Sequence, residues 1–423
     1  MNEKKTVLIV DDDPIILNIL KDKLHVKLKN INIIAVLSYK EAVKHILDKS
    51  KTISVAVLDL NLPEVENCAI VEYALKKNIP SIVLTVSVNQ NLKAILLKNK
   101  VLEYIVKDGR KGIDAAIARV ERELQNQDRF ILLVDDSAVQ LAITIKILKK
   151  MHLKNIVTAS NGMEAYGILL NSEKTFSMVI TDYNMPKMDG MDLTLKIREK
   201  FDKDELCVIV LSGDEKQKLS SQFISMGAND FLNKPYCESD LITRINSNLE
   251  LINLFEKIKD MANRDFLTGA YNRRYFYESA ENIVQKIQNK KNNISIVMLD
   301  IDKFKNINDT YGHSIGDVVI TRVVHILNEN LRSNDLMARF GGEEFCILLE
   351  NISIEEVKEL FENVRKIFEE TRMKIDEFSV QFTISIGIFY GFENTLEKMI
   401  KKSDDSLYFC KNNGRNQIAI NKV

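Results

Sequence analysis

Tryptophan is absent from this sequence, and glycine, proline and cysteine are scarce. Among 423 residues there are 15 glycines and 5 prolines, which excludes collagen-like repeats and argues against long flexible linkers. The 5 cysteines are dispersed and form no Cys-x-x-Cys pair. Such a set is typical of reduced, buried thiols, so we predict a cytoplasmic protein without a zinc site.

Long apolar runs and an excess of charge of one sign are also missing. No run approaches the ~18 residues that a membrane helix needs, and only four apolar residues separate Lys5 from Asp11, too few for a signal peptide. Lys plus Arg number 59 and Asp plus Glu number 60, a net charge of −1. We therefore expect no membrane span and no nucleic-acid partner bound through a basic surface. At ~150 residues per domain, the length predicts about three domains.

An internal repeat accounts for the first two domains. Thr6–Asp12 reappears as Phe130–Asp136, and Tyr104–Lys107 reappears as Phe231–Lys234, at offsets of 124 and 127 residues. Within each copy, short apolar runs alternate with amphipathic stretches, which predicts βα units around a parallel sheet. A repeat of this length indicates duplicated domains rather than a solenoid.

Polar residues of the same types follow the apolar runs in both copies, where parallel sheets place their sites. Three crowded carboxylates need a cation, and oxygen ligands favour Mg²⁺. One carboxylate can then attack phosphorus, while the hydroxyl and the lysine bond the phosphoryl oxygens. A single Asp would be only a strand end or helix cap; the whole set, found twice, is not. The first set is Asp11, Asp12, Asp59, Thr85 and Lys107, and the second is Asp135, Asp136, Asp182, Ser212 and Lys234.

These residues resemble the receiver domains of response regulators. The resemblance implies that Asp59 and Asp182 accept a phosphoryl group from a histidine kinase, that the acidic residues hold Mg²⁺, and that the hydroxyls and lysines act as the switch. The second copy keeps Asp189-Gly190 and Lys234-Pro235, as the family usually does, whereas the first copy lacks both features. We therefore rank Asp182 as the more reliable phosphoacceptor, with Asp59 as a possible second.

A helix is expected after the second copy. Residues 238–261 contain no glycine or proline, and their apolar residues recur at helical spacing. The pattern fits a stalk that continues toward the third domain, with coiled-coil pairing in a dimer. For its first half, packing on its own receiver is an equally good interpretation.

The third domain places acidic residues beside a predicted strand and a predicted hairpin. An apolar run ends at Asp300, and two further runs flank Gly341-Gly342, with Glu343 at the tip. The element order predicts an α+β domain with helices on one face of an antiparallel sheet. Carboxylates that share Mg²⁺ beside a triphosphate would activate phosphoryl transfer.

Many ordered motifs of this domain resemble the GGDEF domain of diguanylate cyclases, in its GGEEF form. They include Asp265–Gly269, Asp300–Lys305, Arg339–Phe345 and Gly414–Asn416. The resemblance implies condensation of two GTP into cyclic di-GMP by a homodimer, with Asp300, Glu343 and Glu344 catalytic and the general base left open. Mg²⁺ would be bound by Asp300, Glu343 and the Ile301 carbonyl. The substrate-binding residues would be Asn308 and Asp317 on guanine, Lys305, Lys411 and Arg415 on the phosphates, and Phe304.

Arg332 and Asp335 lie just before the Gly-Gly turn, with the R-x-x-D spacing of the family's product-binding inhibitory site. Otherwise they would be a surface ion pair of little energetic worth. The family's supporting arginine falls on Asn363, with Arg365 two residues further on.

The sequence thus predicts a multidomain α/β protein: two flavodoxin-like (βα)5 receivers and an α+β GGDEF domain of nucleotidyl-cyclase, ferredoxin-like type. The expected boundaries are 1–124 and 128–250 for the receivers, 251–264 for a helical linker and 265–423 for the GGDEF domain. The alternative function is a non-catalytic receptor for GTP or cyclic di-GMP that signals through protein contacts.

Overall fold

The structure is a computed structural model of the chain. It describes residues 4–28, 30–48, 50, 52–63, 65, 68–86, 101–213, 223–288, 293–375 and 378–422. Contacts divide the chain into two compact units, Met1–Phe255 and Glu256–Val423. All five cysteines are free, and no described helix is both long and apolar enough to cross a membrane.

The first unit begins with a five-stranded parallel sheet in the order β2-β1-β3-β4-β5. Asp13 caps the first helix by accepting a hydrogen bond from the Ile15 amide, and Pro14 occupies the first helical position. The elements are β1 (Lys5–Val10), α1 (Pro14–Lys27), β2 (Ile31–Val36), α2 (Tyr39–Leu47), β3 (Ile53–Asp59), α3 (Ala69–Lys76), β4 (Ser81–Thr85), β5 (Glu103–Val106) and α4 (Gly109–Asp128).

The second sheet repeats this topology in the order β7-β6-β8-β9-β10, so the predicted duplication of a flavodoxin-like fold is confirmed. Only Arg129 separates α4 from the next strand. The elements are β6 (Phe130–Val134), α5 (Ala138–Lys150), β7 (Asn155–Ala159), α6 (Gly162–Asn171), β8 (Phe176–Asp182), α7 (Gly190–Arg198), β9 (Cys207–Ser212), β10 (Asp230–Asn233) and α8 (Glu238–Asn263).

Helix α8 is continuous, and the burial of its apolar residues changes along its length. Leu241, Ile245 and Leu249 belong to the core of the second receiver, so the first half of the helix packs on its own domain. Further along, Leu254 and Ile258 are each 54% exposed. The first half of the helix therefore packs on its own receiver, and pairing of the second half in a coiled coil stays a prediction.

The last sheet has six strands in the order β11-β13-β14-β12-β17-β18. A capping box between Ser353 and Glu356 begins the helix that covers residues Ile354–Glu370. The elements are β11 (Tyr271–Asn272), α9 (Arg273–Gln288), β12 (Ile294–Ile301), α10 (Phe304–Tyr311), α11 (His313–Asn330), β13 (Leu336–Gly341), β14 (Glu344–Glu350), α12 (Ile354–Glu370), β15 (Met373–Ile375), β16 (Phe378–Val380), β17 (Ile384–Tyr390), α13 (Leu396–Asn412) and β18 (Ile418–Lys422).

Two details of this domain differ from the sequence-based expectation. The sheet is mixed rather than antiparallel, because β11 and β18 pair in parallel with their neighbours. Helices also cover both faces. Along β12, Val297 and Leu299 pack toward α10–α12, whereas Ile296 and Met298 pack toward α9 and α13. Every residue of β12 is buried, so the strand lacks the alternation that reveals a one-sided sheet.

Candidate functional site

Both receiver sheets bring their predicted residues to one edge. Asp59 and Thr85 are the last residues of β3 and β4, and Lys107 follows β5 directly. The second receiver repeats this placement with Asp182, Ser212 and Lys234. Because parallel strands end at the same edge, residues far apart in sequence meet there. In each receiver the three carboxylates offer oxygens within 4.8 Å of one another; the groups are Asp11, Asp12 and Asp59, and Asp135, Asp136 and Asp182.

A lysine ammonium joins the carboxylates of each cluster. Lys107 Nζ lies 2.9 Å from Asp11 Oδ2 and 2.7 Å from Asp59 Oδ2. Lys234 Nζ lies 2.6 Å from Asp182 Oδ1 and 3.3 Å from Asp135 Oδ2. Burial would lower the pKa of both lysines, but their contacts with these negatively charged carboxylates raise it. Both lysines are therefore charged at neutral pH.

The carboxylates retain capacity for a cation. Burial raises the pKa of Asp11 and Asp182 despite the neighbouring lysines. Asp11 Oδ2 is buried and accepts no hydrogen bond of good geometry, although Lys107 lies close to it. Three clustered carboxylates, one of which has a buried oxygen that accepts no well-aligned hydrogen bond, form a ligand set that fits Mg²⁺.

The two receiver sites differ where their sequences differ. The Lys234–Pro235 peptide bond is cis. Asp189 accepts hydrogen bonds from the amides of Met191 and Asp192 and so caps α7. At the corresponding point of the first receiver, Cys68 has a left-handed backbone and makes no side-chain cap, while positions 64, 66 and 67 lie outside the described residues.

In the last domain, strand pairing brings the acidic residues together. Asp300 lies opposite Glu344 in the β12–β14 ladder, and Lys411 Nζ lies 2.8 Å from Asp300 Oδ2. Burial raises the pKa of Asp300 to about 6, and the negative charges of Glu343 and Glu344 contribute in the same direction against Lys411. The carboxylates are oxygen donors of the kind Mg²⁺ prefers, with more negative charge than one lysine neutralises.

The Gly-Gly turn is held by an arginine to which the sequence analysis gave no role. Gly342 has φ +51°, a backbone conformation that favours glycine. Arg339 donates to the Gly342 carbonyl through Nε at 2.9 Å and through Nη2 at 2.8 Å. Its Nη1 reaches Asp265 Oδ1 at 2.9 Å. The turn that carries Glu343 is thereby fixed to the Asp265–Gly269 motif.

The predicted guanine-binding residues lie on two consecutive helices. Asn308, on α10, has a buried Oδ1 with no hydrogen-bond partner. A Cβ on Gly316 of α11 would lie 1.9 Å from that atom and 3.2 Å from Phe304 Cζ, so only glycine leaves room for Asn308. Asp317, the next residue of α11, is exposed. A buried, unsatisfied amide oxygen beside an exposed carboxylate is suited to a ligand that donates hydrogen bonds.

The basic residues are placed less uniformly. Lys411 contacts Asp300, as noted, and Arg415 lies exposed on the loop that follows α13. Lys305 is exposed on α10 and makes no hydrogen bond or ion pair within the described part of the chain. The structure therefore joins Lys411 directly to the acidic site and leaves Lys305 free to turn toward a ligand.

Asp302 is a buried residue of this site to which the motif alone assigned no role. Its Oδ2 accepts from Thr383 Oγ1 at 2.6 Å and from the Asn416 amide at 3.0 Å, and its Oδ1 accepts from Ser385 Oγ at 2.6 Å. These bonds tie the end of β12 to β17 and to the Arg415 loop. The sequence could have indicated a role for Asp302, because it lies two residues after Asp300 and so on the same side of an extended chain.

Arg332 and Asp335 form an ion pair, with Arg332 Nη2 lying 3.1 Å from Asp335 Oδ1. The Arg332 side chain is 51% exposed, whereas that of Asp335 is 1% exposed. Arg332 Nη2 also donates to the Glu350 carbonyl. The Arg332 guanidinium is therefore open to solvent, while the Asp335 carboxylate and the Glu350 carbonyl hold it in place.

Comparisons with known proteins agree with this architecture. The family model "Response regulator receiver domain" matches residues 7–118 and 131–246, more than half of the chain, and the model "Diguanylate cyclase, GGDEF domain" matches residues 262–417. The "Probable diguanylate cyclase DgcT" of Escherichia coli is 40% identical over 169 residues, covering 39% of this chain and 37% of that protein. The "Response regulator PleD" of Caulobacter vibrioides is 27% identical over 253 residues, covering 57% and 56%.

A solved structure of a "putative two-component system response regulator/ggdef domain protein" is 31% identical, covers 59% of this chain and 100% of its own, and has a TM-score of 0.44. The chain spans about two fifths to just over half of the length of the curated relatives named above. The two receiver matches, the GGDEF match and the corresponding sheets together place this chain in the family of response regulators that carry a GGDEF domain.

Proposed function

We propose that the chain is a diguanylate cyclase that condenses two GTP into cyclic di-GMP and two pyrophosphates. The observation that carries this proposal is the pairing of Asp300 opposite Glu344, beside the Gly-Gly turn and in contact with Lys411. Two carboxylates and the Lys411 ammonium therefore lie close together at the end of β12, which supports a site for a metal ion and a phosphate. The family description of the last domain and the names of its relatives support the same activity.

Mg²⁺ is the proposed cofactor, bound by Asp300, Glu343 and the Ile301 carbonyl. When bound, the metal supplies Lewis-acid polarisation of the α-phosphate. Asp300 must be ionised to bind it, and its raised pKa of about 6 still allows this at neutral pH.

The protein's own groups position the substrate. Asn308 and Asp317 bind the guanine edge, because the buried Asn308 Oδ1 needs a donor that the described residues do not supply. Lys411 and Arg415, with Lys305, neutralise the triphosphate, and Phe304 also contacts the substrate. The 3′-hydroxyl of one GTP attacks the α-phosphorus of the other, the bond to pyrophosphate breaks, and a proton leaves the hydroxyl.

Each domain binds one GTP, so two copies must face each other. Exposed apolar residues on α8 support self-association: Leu251, Leu254, Ile258 and Met261 are 51%, 54%, 54% and 78% exposed. Their spacing of three, four and three residues forms one stripe suited to pairing with a second helix. In this proposal the homodimer is the active form.

The receivers regulate this dimerisation through phosphorylation by a histidine kinase. Asp182 is the first acceptor in this proposal, Asp59 the second, and Lys234 and Ser212 bind the phosphoryl oxygens. Replacement of the Lys234–Asp182 contact by contacts to phosphate is the change that would shift the equilibrium between conformations. Cyclic di-GMP then inhibits the enzyme at Arg332 and Asp335, whose guanidinium is open to a phosphate.

The test is a cyclase assay on the full chain with GTP and Mg²⁺, with and without beryllofluoride. We expect cyclic di-GMP from the unaltered protein, more of it with beryllofluoride, and none from Glu343→Ala. Glu359→Ala is the matched control, because Glu359 is exposed on α12 and forms no ion pair with any described residue. A failure to form cyclic di-GMP at any dimer concentration would reject the enzyme in favour of a nucleotide receptor.

Phosphate transfer is tested separately with labelled acetyl phosphate. Asp182→Ala is expected to lose most of the label and Asp59→Ala a smaller part. Full retention of label by Asp182→Ala would reverse the ranking of the two receivers.

A further inference from the structure

Arg365 on α12 forms a hydrogen-bond network that the proposed catalytic scheme does not use. Its Nη1 donates to Asn416 Oδ1 at 2.8 Å and to Glu369 Oε2 at 2.9 Å. Its Nη2 donates to Glu362 Oε1 at 2.8 Å, and the side chain is only 12% exposed. Arg365 is therefore committed to these partners and is not available to the Arg332–Asp335 site.

Asn416 follows Arg415 in a backbone turn that is unusual for these residues. Arg415 has φ 64° and Asn416 has φ 45°, so two consecutive non-glycine residues are left-handed. A left-handed backbone is strained for arginine, although asparagine tolerates it, and two such residues in a row persist only where the surroundings determine them. The turn that carries Arg415 needs external support.

That support comes from two directions. On the inner side, the Asn416 amide donates to Asp302 Oδ2 at 3.0 Å, which connects the turn to the strand that bears Asp300. On the outer side, Asn416 Nδ2 donates to Glu369 Oε1 at 2.8 Å, and Arg365 binds the amide oxygen. Every polar atom of the Asn416 side chain thus contacts α12.

The geometry points to Arg365 and Glu369 as a positioning pair that holds the left-handed turn, so that the Arg415 guanidinium is directed at the triphosphate. This inference rests on the proposed function, because it assigns Arg415 to GTP. Helix α12 thereby becomes part of the substrate site without touching substrate. Loss of the pair frees the turn to leave its left-handed conformation and withdraws one cation from the phosphates.

Arg365→Met is the main variant, since it keeps the aliphatic stem and removes the donors. Affinity for a non-hydrolysable GTP analogue should fall on the order of tenfold, as for one charge-assisted contact. Affinity for guanosine, which has no phosphate, should stay unchanged. A purely structural role for Arg365 would weaken both ligands together.

Three companion variants sharpen the test. Arg365→Lys should restore part of the affinity, and Glu369→Gln, which keeps the side-chain volume, should weaken the GTP analogue in the same direction if Arg365→Met fails to fold. Glu362→Gln is the matched control, because Glu362 contacts Arg365 but not Asn416, and it should bind both ligands normally.

A double-mutant cycle decides whether Arg365 acts through Arg415. In an Arg415→Ala background, Arg365→Met should have no further effect on affinity for the GTP analogue. Equal weakening in both backgrounds, or no weakening in either, would overturn the positioning role alone. Absence of GTP binding by the unaltered chain would overturn the proposed function together with it.

Discussion

Gly316→Ala tests the guanine site with the smallest change that the chain allows. The added Cβ would lie 1.9 Å from Asn308 Oδ1, whereas real Cβ contacts essentially never fall below 3.0 Å. The Asn308 side chain must therefore move by at least about 1.1 Å, or α11 must shift relative to α10. A displacement of that size removes a hydrogen bond of ordinary length, since such bonds weaken steeply beyond ~3.2 Å.

The loss in binding follows from the number of contacts affected. One or two hydrogen bonds to guanine, each worth about 0.5–1.5 kcal/mol net, give about 2 kcal/mol. That corresponds to an increase of about 30-fold in Kd. Stability should change less, because alanine favours the helix by up to about 1 kcal/mol while overpacking costs about 1–3 kcal/mol.

Isothermal titration with GTP and ATP analogues in the presence of Mg²⁺ provides the assay. The unaltered chain should prefer the GTP analogue, and Gly316→Ala should lose most of that preference. Gly167→Ala is the matched control, because Gly167 is a helical glycine of α6 with nothing within 4 Å of its added Cβ. A folded Gly316→Ala protein that binds the GTP analogue within about twofold of the unaltered chain would refute the assignment of Asn308.

Three further predictions concern pH and self-association. Burial lowers the pKa of His152 in the folded protein, so below pH 6.5, the ordinary pKa of histidine, the unfolded chain binds more protons than the folded one. The free energy of unfolding, measured with urea, should therefore fall as the pH drops from 6.5. The fall should be smaller in His152→Asn, a replacement that suits the left-handed backbone at φ 62°. Asp300 has a pKa of about 6, so Mg²⁺ affinity, measured with a bound GTP analogue, should weaken about tenfold per pH unit below 6; a flat profile from pH 5 to 7 would contradict this. Ile258 is 54% exposed, and Ile258→Ser should weaken dimerisation at least about tenfold in sedimentation equilibrium while leaving the melting temperature of the monomer unchanged.

The receiver domains could be predicted from sequence almost completely. Their functional side chains follow short buried strands, and parallel strands of one sheet necessarily end at the same edge. The positions of Asp59, Asp182, Lys107 and Lys234 therefore follow from the order of strands alone. In these domains the order of the strands determines where the site residues lie, so no knowledge of long-range side-chain contacts was needed to predict the site.

The last domain was predictable only in part. The hairpin around Gly341-Gly342 and the strand that carries Asp300 were correctly predicted, because each depends on neighbouring residues. The parallel pairing of β11 and β18 and the helices on both faces were not. A strand such as β12, buried on both sides, shows no alternation from which its two faces could be distinguished.

The sequence by itself determined the number of domains, their folds and the chemical types at each site, because these depend on local periodicity and on motifs of a few residues. Only the tertiary structure decided which distant groups pair. Arg365 binds Asn416 across 51 residues of chain, and Asp302 binds Ser385 across 83. A guanidinium can bind any acceptor of suitable charge and geometry, and a buried carboxylate can bind any suitable donor. Only the packing of α12, β12 and β17 determines which partner lies within reach.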